Sequence, residues 1–331
     1  MALLGRLIVA TMPLAPKFII RMVAGRYVAG SKLEDAISTM EKLSSEGACF
    51  TVDVLGEDIT SLEEADFFLE EYSSLIDSIV KTKIDAHISI KPTAFGLLID
   101  QESAYEKILH ITRKASENDI FVRLDMEDSR VTDSTIDIMT RIRLHGLSNI
   151  GVVLQGRLFR TISDIERICD RLGDDADFRV CKGIYLEPEE IAYTEYNDIV
   201  NATNSAIEMM LDRGAYTAIA SHDYPVIDKS LKLLEKYGLT PTDKKMTSPG
   251  KGPGYEFQFL LGVRGDLRRK LSGDGHLTRI YVPYGKQWYE YGIRRLNENP
   301  EVATHVVKAL LMPWTNSCLL YTSDAADEPV C

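Results

Sequence analysis

The feature that most constrains the fold is a repeated alternation of short apolar runs with amphipathic helical segments. Eight strand candidates follow one another along the chain, from ACFTVDV to RIYVPYG. Apolar strands separated by helices are typical of a parallel sheet covered on both faces. Eight such units favour a closed barrel over an open doubly wound sheet. The sequence therefore predicts an α/β protein with a (β/α)8, TIM-type barrel.

The domain organisation follows from where this alternation starts and stops in the 331 residues. Residues 1–44 have the pattern of an N-terminal helical arm, and residues 45–312 form the predicted barrel domain, with no linker inside it. Residues 313–331 follow a proline stop, match no periodic pattern and look non-native, so we expect a disordered tail. Within the barrel, we expect one long helix over residues 191–214.

Charge and cysteine content exclude several classes of protein. Lys and Arg number 38 against 50 Asp and Glu, and the net charge of -12 repels a phosphate backbone, so we expect no nucleic-acid partner. The five cysteines are odd in number and lack metal-ligand spacing, which argues against a disulfide framework and a zinc site. A reducing, cytoplasmic location fits this composition best.

The first 23 residues contain apolar clusters that charged residues and prolines interrupt. They lack the run of about 20 apolar residues that a membrane span needs. Two readings stay open: an arm packed on the protein's own core, or an amphipathic segment lying on a membrane surface. We therefore expect a cytoplasmic protein with possible peripheral contact at the inner face of the membrane.

Polar side chains cluster where the predicted strands end. Active sites of (β/α)8 barrels form from the carboxyl ends of the strands, so convergence from five successive units indicates one site. The residues at these ends are Lys91, Asp125, Glu127, Gln155, Lys182, Ser221 and His222.

We weigh three interpretations of these residues: a metal site, a site built around a reactive or charged lysine, and a barrel without catalysis. A metal site is not expected, because His222 alone among the histidines has a strand-end position. Lys91 or Lys182 could form a Schiff base, as in aldolase-type barrels, or act as a cation beside an anionic substrate or a reduced flavin. A barrel without catalysis, serving as a binding protein, is the third alternative.

A helical segment near the end of the barrel, WYEYGIRRLNENP, carries two adjacent arginines. Helical spacing places Tyr291, Arg294, Arg295 and Glu298 on one face. Two guanidinium groups side by side suit a carboxylate, which they can bind bidentately. A solvent-exposed basic face neutralised by Glu298 is the alternative.

The chain resembles the monofunctional bacterial proline dehydrogenases from about residue 25 to residue 311. The ordered motifs that carry the resemblance are AGRYVAG, TVDVLGE, ISIKPTAFG, VRLDMEDS, GVVLQGRLFRT, RVCKGIYLEP, ASHDYPVI, YEFQFLLGVR and YVPYGKQWYEYGIRRL. The resemblance implies a distorted (β/α)8 barrel that binds FAD non-covalently. It also implies oxidation of L-proline to Δ1-pyrroline-5-carboxylate, with the electrons passed to a membrane quinone.

The resemblance also implies roles for individual residues. Asp125 and Arg179 match positions at the reaction centre, and Arg294 and Arg295 match the pair that binds the proline carboxylate. The remaining substrate-pocket positions are Lys91, Leu260, Tyr281, Tyr291 and Glu298. The positions expected to contact FAD are Met126, Gln155, Arg179, Cys181, Lys182, Gly183, Ser221 and His222. Cys181 and Ser221 stand where relatives more often have valine and threonine.

The arginine pair leads to a direct test. Arg294→Met or Arg295→Met is expected to raise the KM for proline by orders of magnitude, because loss of a charge-assisted bidentate contact in a desolvated site costs about 2 to 4 kcal/mol. Steady-state kinetics over a range of proline concentrations measure the effect. A KM change below about threefold would refute the carboxylate clamp.

Overall fold

The computed structural model describes residues 25–239, 241, 254–289 and 291–293. Within these ranges eight parallel strands form a closed barrel in the order of the sequence, with β8 hydrogen-bonded to β1. The predicted (β/α)8 barrel is confirmed. The strands are β1 (Cys49–Val54), β2 (Ala86–Ile90), β3 (Val122–Leu124), β4 (Ile150–Gln155), β5 (Asp177–Cys181), β6 (Tyr216–Ala220), β7 (Tyr255–Leu260) and β8 (Thr278–Tyr284). The helices are α1 (Leu33–Ser44), α2 (Leu62–Thr82), α3 (Gln101–Ser116), α4 (Thr132–Leu144), α5 (Thr161–Leu172), α6 (Tyr196–Asp212), α7 (Tyr224–Lys236) and α8 (Gly265–Gly273).

The outer face of the barrel is apolar and packs against the helices. Val52 of β1 is paired with Ile88 of β2, and both are fully buried. Leu75 and Ile76 of α2 are also fully buried and belong to the same hydrophobic core. Complete burial of an aliphatic side chain of this size contributes about 1.5 to 3 kcal/mol relative to exposure. The layer between barrel and helices therefore supplies the hydrophobic stabilisation of the fold.

The inner face of the barrel is polar. Polar and apolar residues therefore alternate along the strands more than the overall apolar composition of the strands indicates. Arg279 of β8 is fully buried and donates from Nε to Glu256 of β7 at 2.9 Å. Arg123 of β3 is likewise buried and forms an ion pair with Asp177 of β5. Burying an ion is costly unless the ion is paired. Inside the barrel, Glu256 and Asp177 provide the partners that the two buried arginines need.

Two helices, α2 and α8, were not identified from the sequence. The sequence does contain a signal for the start of α2. In the structure, the Glu64 carboxylate accepts a hydrogen bond from the Ser61 backbone N–H at 3.2 Å. Ser61 and Glu64 have the spacing of a capping box, and an apolar pattern follows them. The chain thus places a 21-residue helix between β1 and β2.

The expected helix over residues 191–214 is too long at its amino end, since α6 begins at Tyr196. Ala192 forms an antiparallel bridge with Leu158, and Tyr193 N donates to Arg157 O at 2.8 Å. These backbone hydrogen bonds to the connection after β4 replace the helical ones. Residues before Tyr196 consequently belong to the connection between β5 and α6.

Parts of the sequence expectations lie outside the described residues. These are residues 1–24 of the arm and residues 294–331, which include the predicted tail over residues 313–331. The domain boundaries at 44 and 312 stay predictions. The predicted helix that ends the arm is present as α1. Among the helices that the structure describes, none is long and apolar enough to cross a membrane.

The barrel brings the strand-to-helix connections together at one rim, because all strands run in the same direction. The connection from β5 to α6, over residues 182–195, is the longest of those that are described from end to end. We call this connection the strap. It crosses the rim on which the polar strand ends converge.

Candidate active site

A cluster of four charged side chains, three of them buried and one partly exposed, lies at the carboxyl end of the barrel interior. Lys91 Nζ lies 2.6 Å from Asp53 Oδ2 and 3.9 Å from Asp125 Oδ2. Arg179 Nη1 lies 2.6 Å from Asp125 Oδ1. The two acids and two bases come from four different strands or strand ends and balance in charge. The structure thus joins three residues that the sequence predicted, Lys91, Asp125 and Arg179, to a fourth that it did not.

Asp125 is held by hydrogen bonds on both carboxylate oxygens. Oδ1 accepts from Ser89 Oγ at 2.6 Å as well as from Arg179, and Oδ2 accepts from the Tyr281 hydroxyl at 2.7 Å. Burial opposes ionisation of this carboxyl group, but the charges of Arg179 and Lys91 lower its pKa below the ordinary value. Asp125 is therefore a fixed carboxylate at neutral pH.

Arg179 has one guanidinium nitrogen left over from this network. Its Nε donates to Gln258 Oε1 at 2.5 Å, and its Nη1 donates to Asp125. Its Nη2 is buried and has no hydrogen-bond partner within the part of the chain that the structure describes. An unsatisfied buried donor costs about 1 to 3 kcal/mol, which marks this nitrogen as a candidate contact for a bound group.

Each lysine of the site is paired with a carboxylate. Burial acts to lower the pKa of Lys91, but the carboxylates of Asp53 and Asp125 raise it well above its ordinary value. Lys182 Nζ lies 2.6 Å from Asp223 Oδ2 and 4.9 Å from the centre of the Tyr196 ring. A Schiff-base lysine needs a depressed pKa, so the raised pKa of Lys91 argues against the lyase alternative at that residue.

Gly183 and Gln155 form a close-packed corner at the ends of β4 and β5. Gly183 has φ +102°, a left-handed value that favours glycine, and a Cβ there would lie 2.8 Å from Gln155 Oε1. Gln155 Nε2 donates to the Glu127 carbonyl at 2.8 Å, which fixes the side chain. Any side chain at position 183 would therefore have to displace Gln155 or its neighbour Arg157.

The other residues expected to contact a cofactor lie along the same rim. His222 Nε2 accepts a hydrogen bond from Leu260 N at 3.0 Å, which assigns the proton of the neutral ring to Nδ1. Ser221 and Met126 are buried. Burial raises the pKa of the Cys181 thiol to about 11, so it is uncharged at neutral pH. The set offers hydrogen bonds and apolar contacts without a reactive thiolate.

The strap reaches across the barrel mouth. Strands β1 and β5 are opposite one another in the barrel, yet the Tyr185 hydroxyl donates to Glu57 Oε2 at 3.3 Å, just beyond β1. The Glu187 carboxylate accepts from Ser129 N at 2.8 Å and from Ser129 Oγ at 2.7 Å. Arg157 Nη1 donates to the Tyr185 carbonyl at 2.5 Å. The strap is thus tied to the connections that follow β1, β3 and β4.

The predicted arginine pair cannot be placed, because Arg294, Arg295 and Glu298 lie outside the described residues. Residues just before the pair are helical, since Tyr291 N donates to Gln287 O at 3.3 Å in the helical pattern. Tyr291 is half-buried. The carboxylate clamp consequently stays a prediction.

Sequence reasoning missed four residues of this site. Asp53, Ser89 and Gln258 lie inside strands rather than at their ends, and Tyr185 lies in the strap. A polar residue in the middle of an otherwise apolar barrel strand was the available signal for the first three, since alternate residues face the interior. The contact of Tyr185 across the mouth has no local signal, because its partner is 128 positions away.

The possibility of a metal centre has no support in this geometry. Across residues 25–239 and the later described ranges, no group of three or more His, Cys, Asp or Glu side chains is arranged to hold a metal ion. The charged cluster pairs acids with bases instead. Fold and site together define a class of protein: a (β/α)8 barrel with a charged polar site at the carboxyl ends of its strands.

Comparison with known proteins gives the family. The proline dehydrogenase family model matches residues 36–308. Proline dehydrogenase 2 of Bacillus subtilis is 35% identical over 290 residues, which cover 88% of this chain and 91% of that protein. Proline dehydrogenase of Deinococcus radiodurans is 32% identical over 293 residues, covering 87% and 90%. The chain belongs to the proline dehydrogenase family, and the resemblance seen in its motifs is confirmed.

A solved structure supports the fold alone. Proline utilization A (PutA) of Bdellovibrio bacteriovorus superposes with a TM-score of 0.75 at 20% sequence identity. The match covers 93% of this chain but only 36% of that protein. The chain therefore corresponds to about a third of that larger protein.

Glu127 is a titratable group of the rim whose pKa leads to a test of stability. Burial raises its pKa from 4.5 to about 7, although Thr93 N and Thr93 Oγ1 donate to the carboxylate at 3.1 and 2.5 Å. Because the folded protein binds this proton more tightly, the stabilisation is complete below about pH 4.5 and is lost as the pH rises through about 7.

We expect Glu127→Gln to remove this pH dependence. The unfolding free energy of the wild type, relative to the variant, should fall by up to roughly 3 kcal/mol between about pH 5 and about pH 8. Urea denaturation at the two pH values measures the difference. Parallel pH dependence in the two proteins would show that Glu127 titrates normally.

Proposed function

We propose that this protein oxidises L-proline to Δ1-pyrroline-5-carboxylate with bound FAD and passes the electrons to a quinone. The observation that carries the proposal is the balanced ion cluster around Asp125 and Arg179, inside a barrel that matches the proline dehydrogenase family over residues 36–308. The expected product starts the conversion of proline to glutamate.

The residues at the rim fit a flavin. Arg179 Nη2 is a buried donor without a partner among the described residues, and Gly183 has a left-handed φ of +102° and no room for a Cβ. The residues that would hold FAD are Met126, Gln155, Arg179, Cys181, Lys182, Gly183, Ser221 and His222. When bound, FAD supplies the acceptor for the hydride that leaves proline C5.

The chain's own task is to bind and orient a small zwitterion. Arg294 and Arg295 supply fixed cations for the proline carboxylate, and Leu260 supplies apolar surface for the ring. Lys91, Asp125 and Tyr281 form a hydrogen-bonded group at the bottom of the proposed substrate site. A rearrangement of this group would leave a buried ion unpaired. Such preorganisation lowers the entropic cost of reaching the reactive geometry.

The strap and the connection after β4 offer an apolar surface to an electron acceptor. Leu186 of the strap is 94% exposed, and the ring of Tyr193, also in the strap, packs edge to face on that of Phe159 with the centroids 4.7 Å apart. These residues are close in sequence to Gly183 and Gln155, which we assign to the cofactor. A lipophilic quinone suits this surface better than a charged acceptor does.

The decisive experiment is an anaerobic titration of the purified protein with L-proline, followed by flavin absorbance. We expect a yellow protein whose flavin bands are bleached by proline and return when a short-chain quinone is added. A colourless protein that does not bind added FAD would refute the flavin proposal. A flavin that proline reduces but quinone does not reoxidise would refute only the acceptor.

Gly183 provides an independent test of the cofactor site. Gly183→Ala should weaken FAD binding by about tenfold or more, since the new Cβ must displace Gln155 from its contact. Gly146→Ala is the matched control, because Gly146 has a similar φ of +86° but nothing within 4 Å of its Cβ position. Equal FAD affinities of the two variants, measured by fluorescence titration, would argue against a flavin beside Gly183.

A further inference from the structure

Asp53 is a buried acid of the ion cluster for which neither the motifs nor the family comparison provides a role. It lies within β1 with no exposed surface, and its Oδ2 accepts from Lys91 Nζ at 2.6 Å. The Tyr72 hydroxyl of α2 lies 3.5 Å from its Oδ1 and is itself fixed by bonds to Val54 N and Ser89 O. The acid is therefore rigidly placed beneath Lys91.

Stability does not explain why the chain keeps this pair. Removing two charges from water costs about as much as their attraction returns, so a buried ion pair often contributes nothing compared with an apolar pair of similar volume. Lys91 is the member of the pair that reaches the site, with 13% of its side chain exposed, whereas Asp53 has none exposed. The function of Asp53 must then be exerted through Lys91.

The other charged and titratable groups that face Lys91 cannot replace Asp53. Asp125 lies 3.9 Å from Lys91 Nζ, and its oxygens already accept from Ser89, Arg179 and Tyr281. The Tyr281 hydroxyl is 3.5 Å from Lys91 Nζ and is uncharged, because burial raises its pKa well above the ordinary value. The carboxylates of Glu57 and Glu127 act on Lys91 or its surroundings only through longer-range electrostatics.

We infer that Asp53 is a positioning residue for the reaction, which keeps Lys91 protonated and fixed so that a permanent cation faces the bound substrate. The inference rests on the proposed function for its catalytic meaning. Its physical content, the protonation and position of Lys91, does not depend on turnover. The two parts can therefore be tested separately.

The first test measures Lys91 directly. Competitive labelling with an amine-specific reagent at about pH 9, read by mass spectrometry, compares wild type with Asp53→Asn and with Asp53→Ser, which leaves room for water. Labelling of Lys91 should rise at least about tenfold in either folded variant, because the lysine loses the carboxylate that raises its pKa. Lys182, paired with Asp223, is the internal control and should not change. Unchanged labelling of Lys91 would overturn the inference whether or not the protein oxidises proline.

The second test asks whether Asp53 acts through Lys91. Asp53→Asn should lower kcat/KM for proline at least about tenfold and move the loss of activity at high pH to lower pH by about one unit or more. With Lys91→Met as background, adding Asp53→Asn should change kcat/KM by less than about twofold. With Lys91→Arg as background, where the charge cannot be lost, Asp53→Asn should no longer move the high-pH limb.

The outcomes of the kinetic test separate the two proposals. Independent, multiplying effects of Asp53→Asn and Lys91→Met would overturn the positioning role while leaving proline oxidation intact. A wild-type protein that proline does not bleach would instead refute the proposed function, and the labelling result alone would then decide the inference. The amine of proline loses its proton over the same pH range with every variant. Differences between the pH profiles of the variants are therefore attributed to Lys91.

Discussion

The contact between Asp125 and Arg179 joins two strands that are not neighbours in the sheet, across the interior of the barrel. An arginine buried there needs a carboxylate, and a carboxylate buried there needs cations, so each determines where the other can lie. Ser89, Tyr281 and Gln258 then complete the hydrogen bonds of the pair. The interior of the barrel is thus organised around charge compensation, with the apolar packing on its outside.

The separation of apolar packing outside the barrel from paired ions inside it explains how a stable barrel can contain a site whose buried charges cost free energy. The outer faces of the strands and the helices that cover them supply hydrophobic burial. The inner faces hold paired ions, which contribute little net stability but have fixed positions. A small zwitterionic substrate suits such an environment, because its two charges meet groups that are already oriented.

Much of the fold could be predicted from the sequence, because its signals are local. Runs such as HISI and GVVLQ, separated by amphipathic segments, indicate a parallel α/β barrel, and Lys91, Asp125 and Gln155 follow from their positions at strand ends. The start of α6 could not be predicted, since residues 191–195 are helical in pattern but hydrogen-bond to the connection after β4. Tertiary hydrogen bonds outweigh helix propensity there, because each propensity amounts to less than about 1 kcal/mol per residue.

The sequence by itself determined the barrel, its family and the acids and bases available at its rim, since periodicity and motifs are properties of neighbouring residues. Only the tertiary structure decided which ions pair with which. Asp53 and Lys91 are 38 positions apart, and Asp125 and Arg179 are 54 apart, yet the folded barrel brings each pair to 2.6 Å. The physical reason is that charge compensation in a dry interior depends on distance in space, and local sequence does not encode that distance.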